Sequence, residues 1–98
     1  MTINKSLTGG KLTLSLDGRL DILTAPDFEH LVKNELEDVT ELVIDMEKLE
    51  YISSAGLRVL LTARKLMQNK GGMKIVGANQ LVKEVFEVTG FASILNIE

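Results

Sequence analysis

Polar and apolar residues alternate most plainly at Leu12, Leu14 and Leu16, with Thr13, Ser15 and Asp17 between them. A period of two predicts a strand with one side on a core and the other toward water. Ile3 to Thr8 reads as a weaker strand, and Gly9-Gly10 between the two supplies the residues that a tight hairpin turn needs. Leu42-Val43-Ile44 is an unbroken apolar run ending at Asp45, the pattern of a central strand covered on both faces. Lys74-Ile75-Val76, just after Gly71-Gly72, is a further short strand, and Ile94 to Ile97 suggests a closing one.

Helical spacing fills the intervals. Thr24-Ala25-Pro26-Asp27 reads as a start signal, with Thr24 as cap, Pro26 in the first turn and an acid three residues on. Phe28, Leu31, Val32 and Leu36 follow at helical intervals. Ser54 to Lys70 is the longest helical stretch, closed by Gly71. At 100° per residue, Val59, Leu60, Ala63, Leu66 and Met67 fall on one arc and Arg58, Thr62, Lys65 and Asn69 on the opposite stripe. Asn79 to Thr89 is a third helix, with Leu81, Val82, Val85, Phe86 and Val88 as its apolar side and Gly90 as its stop. The order β β α β α β α, with a candidate last strand, predicts an α/β domain whose parallel crossovers cover the sheet with helices.

Composition narrows the function more than the fold. The 98 residues fit one domain with a modest core and little room for a deep substrate cavity. With no Cys there is no thiolate chemistry and no Cys-based metal site, and a single His excludes a His-cluster site. Eleven basic residues against fourteen acidic ones give a net charge of −3, which argues against nucleic acid as a direct partner. No signal-peptide pattern opens the chain and no apolar run approaches a membrane span, so the expectation is a cytoplasmic protein without membrane insertion. These features favour an interaction module over an enzyme, with no cofactor and no metal.

The junction from Asp45 through Tyr51-Ile52-Ser53-Ser54-Ala55-Gly56-Leu57-Arg58 carries the most chemical information. It reads as a strand ending at Asp45, a short loop, and two serines at the start of a long helix. Ser53 or Ser54 serves as the helix cap through its hydroxyl oxygen. Gly56 in the first turn costs about 1 kcal/mol relative to Ala and leaves room for close approach of a backbone or a bulky anion. No acid follows in the first turn, so a phosphate on Ser54 would face the positive end of the helix dipole. The Arg58, Thr62 and Lys65 stripe is either a solvated face or a partner-facing one that begins a turn beyond Ser54.

At this junction the chain resembles the STAS domain family, in particular the bacterial anti-sigma factor antagonists. Gly18-Arg19-Leu20-Asp21 is similar to the family's G-x-L-D element, and Ser53-Ser54-Ala55-Gly56-Leu57 to its D-x-S-S/T-G-L signature. Gly71-Gly72 before a short strand and Val88-Thr89-Gly90-Phe91 at the end of a helix extend the resemblance over nearly the whole chain. It implies a single STAS domain over residues 1–98 with a central mixed sheet. It also implies a switch: the unphosphorylated antagonist binds an anti-sigma factor that is itself a serine kinase, and so frees a sigma factor. Phosphorylation breaks the complex, and a PP2C-type phosphatase reverses it. Aligned on Gly56, the family's phosphorylated serine falls on Ser54; the adjacent Ser53, where the family often has Asp, is the alternative. Asp21 matches the acid placed near the phosphosite, and Ser53, Gly56, Arg58, Thr62 and Lys65 complete the implied partner-binding surface. A second role within the family is a constitutive accessory subunit of a lipid-transport ATPase, with Ser54 only a cap.

Other groups read as structural. His30 has no nucleophile or orienting acid at recognisable spacing, and the glycine pairs sit in no phosphate-loop pattern. Asp21, Asp45 and Glu47 match no Mg²⁺ motif, and Asp45 reads as a cap on the strand exit.

Overall fold

The leucine alternation forms the strand it predicts. In the computed structural model, which describes residues 1–98, β1 (Thr2–Thr8) and β2 (Lys11–Leu20) form an antiparallel hairpin. Gly9 and Gly10 turn it with φ of 56° and 90°, a region that side chains disfavour. β3 (Glu41–Ile52) lies parallel to β2, and β4 (Met73–Val76) parallel to β3, in the sheet order β1-β2-β3-β4. α1 (Ala25–Glu35), α2 (Ser54–Met67) and α3 (Gln80–Thr89) make the crossovers and the final layer. The domain is α/β with a mixed sheet in the order β β α β α β α.

One apolar cluster of 24 residues holds the elements together. Leu12, Leu14, Leu16 and Leu20 of β2 meet Ile44, Met46, Leu49 and Ile52 of β3 there. Phe28 and Val32 of α1, Leu60, Ala63 and Met67 of α2, and Val82 and Phe86 of α3 close over them. The expectation of a central strand with helices on both faces is not met. Val43 is buried but outside this cluster, paired in register with Thr13 and Lys74 on the reverse face of the sheet. Its neighbours within the sheet shield it, and Thr13 and Ser15 on that face stay half-buried.

The largest correction concerns β3. It does not end at Asp45 but runs to Ile52, replacing the expected loop. Four steps along β2, from Ser15 to Arg19, match six along β3, from Asp45 to Tyr51, through two register shifts. These are bulges, in which two residues oppose one. They stretch the inward positions of β3 from a spacing of two (Leu42, Ile44, Met46) to three (Leu49, Ile52). A spacing of three does not read as a strand. Asp45 is therefore no cap at a strand exit; its Oδ1 accepts from the Glu47 N–H at 3.0 Å and braces the first bulge.

Smaller corrections follow from packing. α2 ends at Met67 with Gln68 as its last cap, before Gly71. Gly71 instead lies against Thr40, whose carbonyl accepts from its N–H, and a Cβ there would collide with that carbonyl. Leu66, one residue and so about 100° from Met67, points off the packed arc and is half exposed. On α3 only Val82 and Phe86 are fully buried, while Leu81 and Val88 face out. The expected closing strand reduces to a single parallel bridge from Ile97 to Ile75, because a 3₁₀ turn (Phe91–Ser93) intervenes and Leu95 turns into the core.

Candidate functional site

Two chain crossings lie side by side at the carboxyl end of the parallel strands. Leu20 and Ile52 are paired in register, and the Ser53 N–H donates to the Leu20 carbonyl at 2.9 Å. The β2–α1 turn, starting at Asp21, is thereby fastened next to the β3–α2 junction, starting at Ser53. Open α/β sheets place their sites at this end.

Ser53 is the N-cap of α2, with extended backbone (φ −103°, ψ 176°). The first intrahelical bond runs from the Leu57 N–H to the Ser53 carbonyl at 3.0 Å. The expected capping bond is absent: the Ser53 hydroxyl contacts no donor of the first turn and sits shielded without a partner. Ser54, the first helical residue, is exposed. The first-turn N–H groups of Ser54, Ala55 and Gly56 precede the helical ladder, and no acid competes for them. The positive end of the α2 dipole thus meets solvent beside the Ser54 side chain.

Gly56 has a different role from the one its position suggests. A Cβ there would come within 2.6 Å of Leu20 Cγ and 3.0 Å of Ile52 Cγ1. The glycine admits the ends of β2 and β3 to the base of α2; it is buried, so it takes no part in a surface. Arg58 and Lys65 are exposed and Thr62 half-buried along the outer stripe of α2, with the Thr62 hydroxyl donating to the Arg58 carbonyl at 3.2 Å.

The β2–α1 turn is organised by Asp21 and Thr24. Asp21 Oδ1 accepts from the N–H groups of Leu23 (3.0 Å) and Thr24 (3.2 Å). In return the Thr24 hydroxyl accepts from the Asp21 N–H at 2.9 Å and donates to the Arg19 carbonyl at 2.7 Å. The reciprocal cap sits one turn earlier than the Thr24–Asp27 box expected, and Thr24 makes no capping bond to α1. Partial burial pushes the Asp21 carboxyl up, but the two N–H groups, the Thr24 hydroxyl and the Arg19 guanidinium outweigh it and hold the group below the ordinary value of 3.8. Arg19 stacks over the Tyr51 ring at 4.5 Å, with its Nε 3.8 Å from Asp21 Oδ2. Residue spacing gives no sign of this stack, because it joins adjacent strands.

The turn also carries two residues that pattern analysis overlooks. Ile22 and Leu23 are 76% and 84% exposed. Periodicity assigns them to no face, and only the turn shows them pointing outward. His30 is exposed on α1, within 3.3 Å of Asn34 Nδ2, and takes no part in this region. No helix is long and apolar enough to cross a membrane.

Comparison with known proteins bears on the family and the fold. The STAS domain family model matches residues 2–98. A candidate anti-sigma factor antagonist, BtrV of Bordetella bronchiseptica, is 34% identical over 99% of this chain and 85% of its own. An anti-sigma factor antagonist from Mycobacterium paratuberculosis superposes with a TM-score of 0.88 at 24% identity, over 98% of this chain and 83% of that one. The Bacillus cell fate determinant SpoIIAA, solved in its phosphorylated form, superposes with a TM-score of 0.76 at 16% identity, over 99% of this chain and 91% of that one.

Proposed function

The chain belongs to the STAS domain family, and from that premise we propose that it is an anti-sigma factor antagonist switched by phosphorylation of Ser54. Unphosphorylated, it binds an anti-sigma factor and releases the sigma factor held there. The anti-sigma factor is also the serine kinase that modifies Ser54, and a PP2C-type phosphatase resets the switch. The protein is regulatory, and its surface is its output. The observation that carries this reading is an exposed hydroxyl on the first residue of α2, next to N–H groups with no competing acid. The relatives' descriptions and the phosphorylated state of SpoIIAA support it.

The chemistry follows from charge. A phosphate adds about −1.5 to −2 charges, against a net charge of −3 for the whole chain. Within the domain, the α2 dipole and the free N–H groups accommodate that charge. Inside a close-packed interface the same group must lose its hydration, and it repels any acid facing it. A penalty of about 4 kcal/mol weakens binding roughly a thousandfold. Arg58, Thr62 and Lys65 extend the partner-facing surface along α2.

The test uses the purified chain, an anti-sigma factor kinase from the same organism, and ATP. Mass spectrometry is expected to find phosphate on Ser54. Ser54→Asp is expected to lose binding by roughly a thousandfold, and Ser54→Ala to bind without being released by ATP. Phosphate on neither Ser54 nor Ser53 sinks the reading.

A further inference from the structure

We propose that Ile22 and Leu23 form a preset aliphatic anchor that enters an apolar pocket on the anti-sigma factor, and that Asp21 acts by holding that anchor in place rather than by touching the partner. The inference rests on the function proposed above and specifies how its surface is read.

Three observations lead to it. The first is exposure. Two adjacent large aliphatic side chains at 76% and 84% exposure lie outside the core cluster. The domain covers little of that apolar surface, whereas burial against a partner removes it from water. The second is preorganisation. The backbone that presents them is fixed by the Asp21 carboxylate on the Leu23 and Thr24 N–H groups, and by the Thr24 hydroxyl bridging Asp21 and Arg19. A side chain presented on a locked turn loses little freedom when it binds, the condition under which an apolar contact yields affinity. The third is continuity. Ile22 lines one shallow cleft with Pro26, Ala55 and Arg58, so the Ile22 side of the anchor and the first turn of α2 share a surface, with Leu23 next to it in the chain. The Ser53 N–H to Leu20 carbonyl bond fastens the two halves.

This arrangement assigns the anchor a part in the switch. Apolar contact gains strength as water leaves the interface, and a phosphate on Ser54 at its margin must be dehydrated for that closure. It also accounts for Asp21. Its Oδ1 is committed to two N–H groups within its own turn, so it is a positioning residue.

The test is affinity for the anti-sigma factor that binds the wild-type chain, measured by calorimetry with full-length variants. Ile22→Ser/Leu23→Ser is expected to lose about a hundredfold in affinity while melting at the wild-type temperature. Leu23→Ser alone is expected to lose part of it. Asp21→Ala is expected to weaken binding as the double variant does. Asp21→Asn, whose amide oxygen still accepts from Leu23 and Thr24, is expected to restore most of the loss, an outcome that a contact through the charge does not produce. Equal binding by the double variant overturns the anchor and leaves the proposed function standing. So does a wild-type dimer that the double variant loses while its affinity for the anti-sigma factor is unchanged. Asp21→Asn binding as weakly as Asp21→Ala overturns the positioning role. A wild-type chain that binds no anti-sigma factor overturns the proposed function, and the anchor with it.

Discussion

Gly56 illustrates how one residue carries a constraint that its own neighbours do not display. It stands in the first turn of α2, where alanine is the better helix former by about 1 kcal/mol. Leu20 is fully buried beneath it, and a Cβ would sit 2.6 Å from Leu20 Cγ. Overpacking of this kind costs about 1–3 kcal/mol, which exceeds the gain in propensity. Gly56→Ala is therefore expected to melt below the wild type, by up to about 2 kcal/mol on balance, as read by thermal unfolding. An unchanged or raised melting temperature contradicts the close approach. Ser54 is the opposite case, an exposed residue on which the proposed switch rests. Its position at a helix start beside Ser53 is visible in the sequence, whereas the missing capping bond of Ser53 is visible only in the structure.

At the scale of elements, caps and bulges decide where each segment begins and ends. α3 is framed on both sides. Asn79 Oδ1 accepts from the Val82 N–H at 2.8 Å, and Gly90 closes the helix with φ of 82°. Asn79 Nδ2 also donates to the Leu49 carbonyl at 3.0 Å and so ties α3 to β3. Asn79→Ala removes both bonds. The cap alone is worth about 1 kcal/mol, and the stranded Leu49 carbonyl about 1 more. The expected fall in melting temperature is roughly 8–16 °C for a domain of this size. Asn79→Ser keeps a capping acceptor and loses only the tie, so it should fall between the two. The α3 boundaries are legible in sequence because Asn and Gly act locally. β3 is not, since its bulges exist only in register with β2. Met46 to Ile52 alternates at three residues instead of two, and its strand character depends on a partner some thirty positions earlier.

At the scale of the molecule, the proposed switch treats the domain as a platform whose output is a change of surface charge. The proposed modification falls on an exposed side chain outside the apolar cluster, so the fold has no reason to rearrange. Phosphorylated chain and Ser54→Asp are expected to keep the far-ultraviolet circular dichroism and the melting behaviour of the wild type while losing the partner. A cooperative change in either signal points instead to a refolding switch. Periodicity, turn chemistry and caps are local properties, so the sequence by itself determined the element order, the hairpin at Gly9-Gly10, the inner faces of β2 and α1, and the place of Ser54 at a helix start. Tertiary structure decided the length of β3, the reason for Gly56, the fastening of the Asp21 turn to the Ser53 junction, and the outward display of Ile22 and Leu23. Each of these rests on contact or register between segments far apart in the chain. No repeat along a single segment encodes such a contact, because it comes into being only when the strands pair and the helices close over them.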